Sequence, residues 1–172
     1  MKKITITLAI IILVSCFISR NNQELPKDSI RFRIVAQNND QESQKLKKEI
    51  VLNLKEEIDK IERSSKNISD SRKNIKKELP TINKIIKDTI IESGTNKNYT
   101  IKYGLNYFPQ KEYQGIIYEE GQYESLVITI EEGKGDNFWC VLFPPLCLID
   151  PTQNTDEIEY TSWFKELINK YF

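Results

Sequence analysis

The chain has 172 residues, of which 29% are charged and 39% apolar, with 25 basic and 25 acidic side chains and no histidine. Its length and composition suit one soluble globular domain, or one domain with an arm. Without histidine there can be no Ser-His-Asp triad, no Cys-His pair and no His-ligated zinc, so acid–base work would fall to carboxylates, lysines or tyrosines.

The N-terminus reads as an export signal. Lys2 and Lys3 form a basic start. The 15 residues Ile4 to Ile18 form an apolar run broken only by Thr5, Thr7, Ser15 and Cys16, and Arg20 and a polar stretch follow. That run is shorter than the roughly 20 apolar residues a spanning helix needs, which favours a cleaved signal over residues 1–20. Leu13-Val14-Ser15-Cys16 also resembles a lipobox, with Cys16 as the lipidated residue, but the apolar Phe17 and Ile18 after it favour the plain signal. Removing Lys2, Lys3 and Arg20 leaves 22 bases against 25 acids, a net charge of about −3. Such a body does not favour a nucleic-acid backbone.

Residues 27–172 read as a single domain. Ile30, Phe32 and Ile34 alternate with Arg31, Arg33 and Val35, the pattern of a half-buried strand with a charged outer face. Asn39 and Glu42 resemble a capping box, and Leu46, Ile50, Leu54, Ile58 and Ile61 then form one apolar helical stripe. A second helix is expected from Ser69 or Asp70, carrying Ile75 and Leu79. Pro80 either kinks it or opens a third helix over Ile82, Ile85, Ile86 and Ile90. Gly94 fits a C-terminal cap. Period-two alternation places Tyr99, Ile101, Tyr103, Leu105 and Tyr107 on one strand face, and Leu126, Ile128 and Ile130 on another. A short strand is expected over Ile116 to Tyr118, with a turn at Gly121. A helix carrying Ile158, Trp163, Phe164, Leu167, Ile168 and Tyr171 is expected near the C-terminus. This order predicts an α+β fold: a mostly antiparallel sheet of about three to five strands, two or three helices between the first and second strands, and a C-terminal helix.

Few motifs carry chemistry. Gly133-Lys134-Gly135 lacks the upstream glycine and the Ser or Thr of a phosphate loop, so it reads as a turn or bulge. Glu119-Glu120 and Glu131-Glu132 are strand neighbours that point to opposite faces, so neither forms a converging acid pair. The 12 residues Phe138 to Ile149 carry no charge and hold Cys140 and Cys147 with six residues between them. Export would let these cysteines form a disulfide worth roughly 2.5 kcal/mol, with two inert buried thiols as the alternative. Two sulfurs alone would leave a zinc site half filled. Phe138 to Phe143 could be a buried strand or a partly exposed aromatic patch of the kind that marks partner-binding sites.

The run Glu132-Gly133-Lys134-Gly135-Asp136-Asn137-Phe138-Trp139-Cys140-Val141-Leu142-Phe143-Pro144-Pro145-Leu146-Cys147-Leu148 resembles the signature of the stage II sporulation protein R family. The segments at 30–47, 78–80 and 121–128 are similar to that family's layout. Phe138 stands where the family has tryptophan and Asp136 where glutamine is usual. Gln37-Asn38-Asn39 replaces Asn-Ser-Asp, and Ser43 replaces an acid. The resemblance implies a signalling protein and not an enzyme, with no cofactor, metal or small-molecule substrate. It implies export from the forespore into the space between the two membranes, and a membrane-bound peptidase that processes the sigma factor E precursor as partner. The contact candidates are then Asp136, Asn137, Phe138, Trp139, Val141, Leu142, Phe143, Pro144, Pro145 and Leu146, rigidified by Cys140–Cys147. An exported or lipid-anchored binding module of another role, and a secreted carboxylate hydrolase, are the alternative classes.

Overall fold

A computed structural model describes residues 28–113, 116–145 and 147. The expected signal, Cys16, Leu146 and the expected C-terminal helix lie outside the described residues. Strand β1 is Ile30–Val35, helix α1 Gln41–Ser64, helix α2 Ile68–Glu92, β2 Tyr99–Phe108, β3 Lys111–Tyr113, β4 Ile116–Tyr118, β5 Gly121–Ile130 and β6 Asn137–Phe143. Four strands form one sheet in the order β2-β5-β1-β6, and β3 and β4 form a separate antiparallel pair. The described residues fall into two compact units, one of residues 28–106 with those from 123 onward, the other holding 107–122 and the β3–β4 pair.

The class is α+β, as the element order predicts. Both helices lie between β1 and β2. The sheet is mixed: β1 runs parallel to β5 and antiparallel to β6. Glu131 N–H, at the end of β5, donates to Asn98 O, just before β2, at 2.9 Å, which sets those two strands antiparallel. Among the described residues no helix is long and apolar enough to cross a membrane.

Strand β1 is central, and this corrects the expectation of a charged outer face. Ile30, Phe32 and Ile34 are fully buried against the helices, but Arg31 is also buried and Arg33 half-buried. Their guanidinium groups lie over aromatic rings from the neighbouring strands. Arg31 Cζ is 3.3 Å from the Tyr123 ring centroid and Arg33 Cζ is 5.3 Å from that of Trp139. Stacking of this kind lets a strand interior hold arginine, because the weakly hydrated guanidinium gains cation–π attraction as it loses water.

The apolar stripes build the helical layer. Leu46, Ile50, Leu54, Ile58 and Ile61 of α1 and Ile75, Ile82, Ile86 and Ile90 of α2 join the β1 row in one core. The caps differ from expectation by a residue or two. Asp40, not Asn39, caps α1, accepting from Ser43 N–H at 2.7 Å. Asn67 caps α2, accepting from Asp70 N–H at 2.9 Å. Pro80 starts no third helix and lies inside α2. It is exposed, so the carbonyl it leaves unpaired is open to water. Gly94 ends α2 as expected, with φ +75° and its N–H on Ile91 O.

On β2 the alternation holds for Tyr99, Ile101 and Tyr103, which pack on the core, but Leu105 is 74% exposed and Tyr107 53%. Tyr103 OH donates to Glu124, which Arg72, in the first turns of α2, also holds. At Gly104, whose φ is +144°, the covered parity inverts, so beyond it Asn106 is half-buried and Phe108 buried while Leu105 and Tyr107 face outward. Gly121 begins β5 and makes no turn there.

The β5–β6 loop clasps the turn after β1. Gly135 N–H donates to Ala36 O and Lys134 N–H to Gln37 O, both at 2.9 Å. Asp136 N–H donates to Asn39 Oδ1 at 2.6 Å, and Lys47 Nζ donates to Asp136 O at 3.0 Å. A Cβ on Gly135 would fall on the Asn38 carbonyl, within 2.6 Å of its carbon. Gly135→Ala should therefore cost about 2–4 kcal/mol, because backbone must shift. Gly94→Ala, with nothing within 4 Å of its Cβ, should cost only about 1 kcal/mol of left-handed strain. Urea midpoints of the two variants check this, and equal losses would refute the close-approach account.

Candidate functional site

Strand β6 sorts the candidate contact residues by parity, because alternate side chains on a strand leave opposite faces. Phe138 and Leu142 point into the core, and Phe138 meets Phe32 edge to face at 6.0 Å. Trp139 pairs with Arg33 across the strands and Val141 with Arg31. The segment Phe138 to Phe143 is thus the buried strand of the two sequence readings. Phe138, Val141 and Leu142 are interior. Asn137, Trp139, Phe143 and Pro144 are half-buried, and Asp136 and Pro145 are exposed. Surface of this segment that another molecule could touch is therefore concentrated at Asp136, Trp139 and the Phe143–Pro145 turn.

Cys140 and Cys147 are joined, with Cα atoms 5.3 Å apart, and the Phe143–Pro144 peptide between them is cis. The chain leaves β6, turns outward at the two prolines and comes back inside. Pro145 is exposed, whereas Cys147, two residues on, is 1% exposed and belongs to the core. We call Phe143, Pro144, Pro145 and Cys147 the hook.

The hook lands on α1. Cys147 N–H donates to Glu62 Oε1 at 3.2 Å, which supplies the acceptor that a buried amide needs. Burial pushes the Glu62 carboxyl up to about 8; the Cys147 N–H opposes this, Asp59 adds to it and Lys55 opposes it. The apolar stripe read from the sequence ends at Ile61 and does not include Glu62. Its signal is spacing: Leu46, Ile50, Leu54 and Ile58 recur every four residues, and the next place in that series is Glu62.

Elsewhere the titratable groups are structural ties. Arg72 grips both oxygens of Glu124, which takes a further bond from Tyr103 OH at 2.7 Å. That contact holds Glu124 below the usual carboxylate range, and burial with the same carboxylate raises Tyr103. Glu120 accepts from Tyr107 OH, and Glu131 from Asn98 N–H. Among the described residues no cluster of three or more Cys, Asp or Glu is arranged to hold a metal. What the β6 segment offers is a covalently closed surface.

A family model described as stage II sporulation protein R matches residues 26–153, which takes in every described element. Stage II sporulation protein R of Bacillus subtilis (strain 168) is 36% identical over 126 residues, or 73% of this chain. The match spans 56% of that relative's length, little more than half. No solved structure matches the chain.

The Glu62 contact sets a pH dependence. Folded, the carboxyl keeps its proton up to about pH 8, whereas its ordinary value is 4.5. Between those values the folded chain binds a proton that the unfolded chain has lost, so this contribution to stability is complete below 4.5 and falls as pH rises through 8. Glu62→Gln keeps an acceptor for Cys147 N–H and removes the titration. The variant should match the parent near pH 4.5 and exceed it by on the order of 1–2 kcal/mol at pH 8.5, after discounting for solvent screening. Urea unfolding at the two pH values checks this, and a pH-independent difference would refute it.

Proposed function

The chain belongs to the stage II sporulation protein R family, and from that premise we propose that it is an exported signal of endospore formation. It is made in the forespore and passes into the space between the two membranes. There it favours the active state of the membrane-bound peptidase that processes the sigma factor E precursor. The family's description names a sporulation protein and no reaction. The apolar run behind Lys2 and Lys3 supports export.

The observation that carries the reading is the division of the family's own motif. Phe138, Leu142 and Cys147 anchor it in the core, while Trp139 and the Phe143–Pro145 turn reach the surface on a chain closed by the disulfide. A rigid aromatic and proline surface loses little conformational entropy on binding, and buried aromatics dominate interface energies. A ligand activates only to the extent that it binds the active state more tightly, so the contact must distinguish two forms of the peptidase.

Trp139→Ala tests this in sporulating cells. The side chain is half-buried on the sheet face away from the core, so the variant is expected to fold and be exported. Processing of the sigma factor E precursor should fall about tenfold or more, as for loss of an aromatic hot spot. Normal processing with normal amounts of exported protein would place the contact elsewhere.

A further inference from the structure

We propose that the Cys140–Cys147 disulfide and the Glu62 carboxyl form one oxidation-set latch: closure of the disulfide brings Cys147 N–H onto Glu62 and fixes the Phe143–Pro145 hook. The purpose given to the latch, presentation of the hook, rests on the function proposed above. The latch itself rests on the geometry alone.

The hook's return to the interior has opposing terms. Cys147 gains burial among α1 and sheet side chains and one hydrogen bond, to Glu62 at 3.2 Å. Against this, the docked hook strips water from the Glu62 carboxyl, beside the further acid Asp59 and with Lys55 as the compensating cation. Pro144 and Pro145 have no N–H to add a bond of their own. Net hydrogen-bond gains are modest, and desolvating an ionisable group is costly. The covalent tie removes the alternative in which Pro144, Pro145 and Cys147 swing out, and this tips the balance to the docked form. Strand β6 fixes one sulfur in the sheet, so the bond can close only by drawing Cys147 inward.

The chemistry balances as thiol–disulfide exchange. A donor disulfide takes the two electrons of the Cys140 and Cys147 thiols and leaves as two thiols. In reverse, dithiothreitol reduces the pair and becomes a cyclic disulfide. A chain still in a reducing compartment would have its hook undocked, and oxidation after export would set it.

The test uses the full chain, oxidised and in dithiothreitol, followed by NMR titration of Glu62 and by amide exchange of Cys147. Oxidised, Glu62 should titrate near 8; reduced, it should fall toward 4.5. Cys147 exchange should quicken by at least about tenfold while helix content holds. An unchanged Glu62 titration and unchanged Cys147 protection would overturn the latch. Should reduction melt the helices, two oxidised variants decide. Glu62→Leu, which lacks the acceptor, should be reduced by dithiothreitol about fivefold faster than the parent, and Glu62→Gln, which keeps the acceptor without the ionisable carboxyl, no faster than the parent. Reduction of Glu62→Leu no faster than that of the parent would overturn the proposal. None of these measurements needs a partner, so failure of the peptidase contact leaves them intact.

Discussion

Strand β1 is short, six residues, yet the sheet, the helical layer and the hook all register on it. Its inward row, Ile30, Phe32 and Ile34, is fully buried. That row meets Leu126 and Ile128 on one side and Phe138 and Cys140 on the other. A slip of one residue would turn Arg31 and Arg33 into the core and expose the whole apolar set, so the register is fixed by the cost of burying two guanidinium groups without partners. In the observed register each guanidinium finds an aromatic ring. The strand order follows: β5, parallel to β1, is reached by the long connection from α1 through β4, and the short β5–β6 loop then crosses the end of β1 to lay β6 antiparallel on its other side.

The loop–turn clasp makes that register local as well as global. Residues 134–136 bond to residues 36–39 where β1 ends and β6 begins, which ties the ends of the two strands in register. This gives the glycine-rich motif a structural role. Its glycine lies where backbone meets backbone, and a side chain has no room. It also accounts for a departure from the family pattern. Asn39, where the family carries an acid, accepts from Asp136 N–H through its amide oxygen, and an acid oxygen would do the same.

Much of the fold was legible because it depends on periodicity. The α1 stripe, the β5 alternation and the Gly94 cap each follow from one spacing or one conformational need. What was not legible depends on neighbours distant in sequence. Leu105 continues a clean alternation in the sequence, but Gly104, at φ +144°, inverts the parity of the strand, and sequence spacing alone does not show that break. The charged alternation of β1 looked like a solvated face because stacking partners at Tyr123 and Trp139 lie about 100 residues away. Asn39 looked like a cap because Asp40, beside it, has the same capping chemistry, and sequence cannot say which of two adjacent acceptors takes the helical amide. Glu62 was hidden by its own type: a glutamate on a lysine-rich helix reads as solvated until a buried amide arrives from the other end of the chain.

Positions 138 and 139 show how one strand can both anchor and present. Side chains alternate, so two adjacent aromatic residues cannot share a fate: one enters the core and the other faces away. Phe138 takes the inward place, edge to face with Phe32. The family has tryptophan there, whose N–H would need an acceptor among apolar neighbours, so phenylalanine keeps the ring contact and removes a polar atom from the interior. Trp139 takes the outward place, half-buried over Arg33, with its indole nitrogen covered. The same logic governs the sulfurs. Cys140 follows Phe138 inward by parity, and Cys147 can reach it only if the intervening chain folds back over the end of β6, which the two prolines direct. Hook, anchor and outward tryptophan are therefore consequences of one register, and a change that shifts β6 against β1 would disturb all three together.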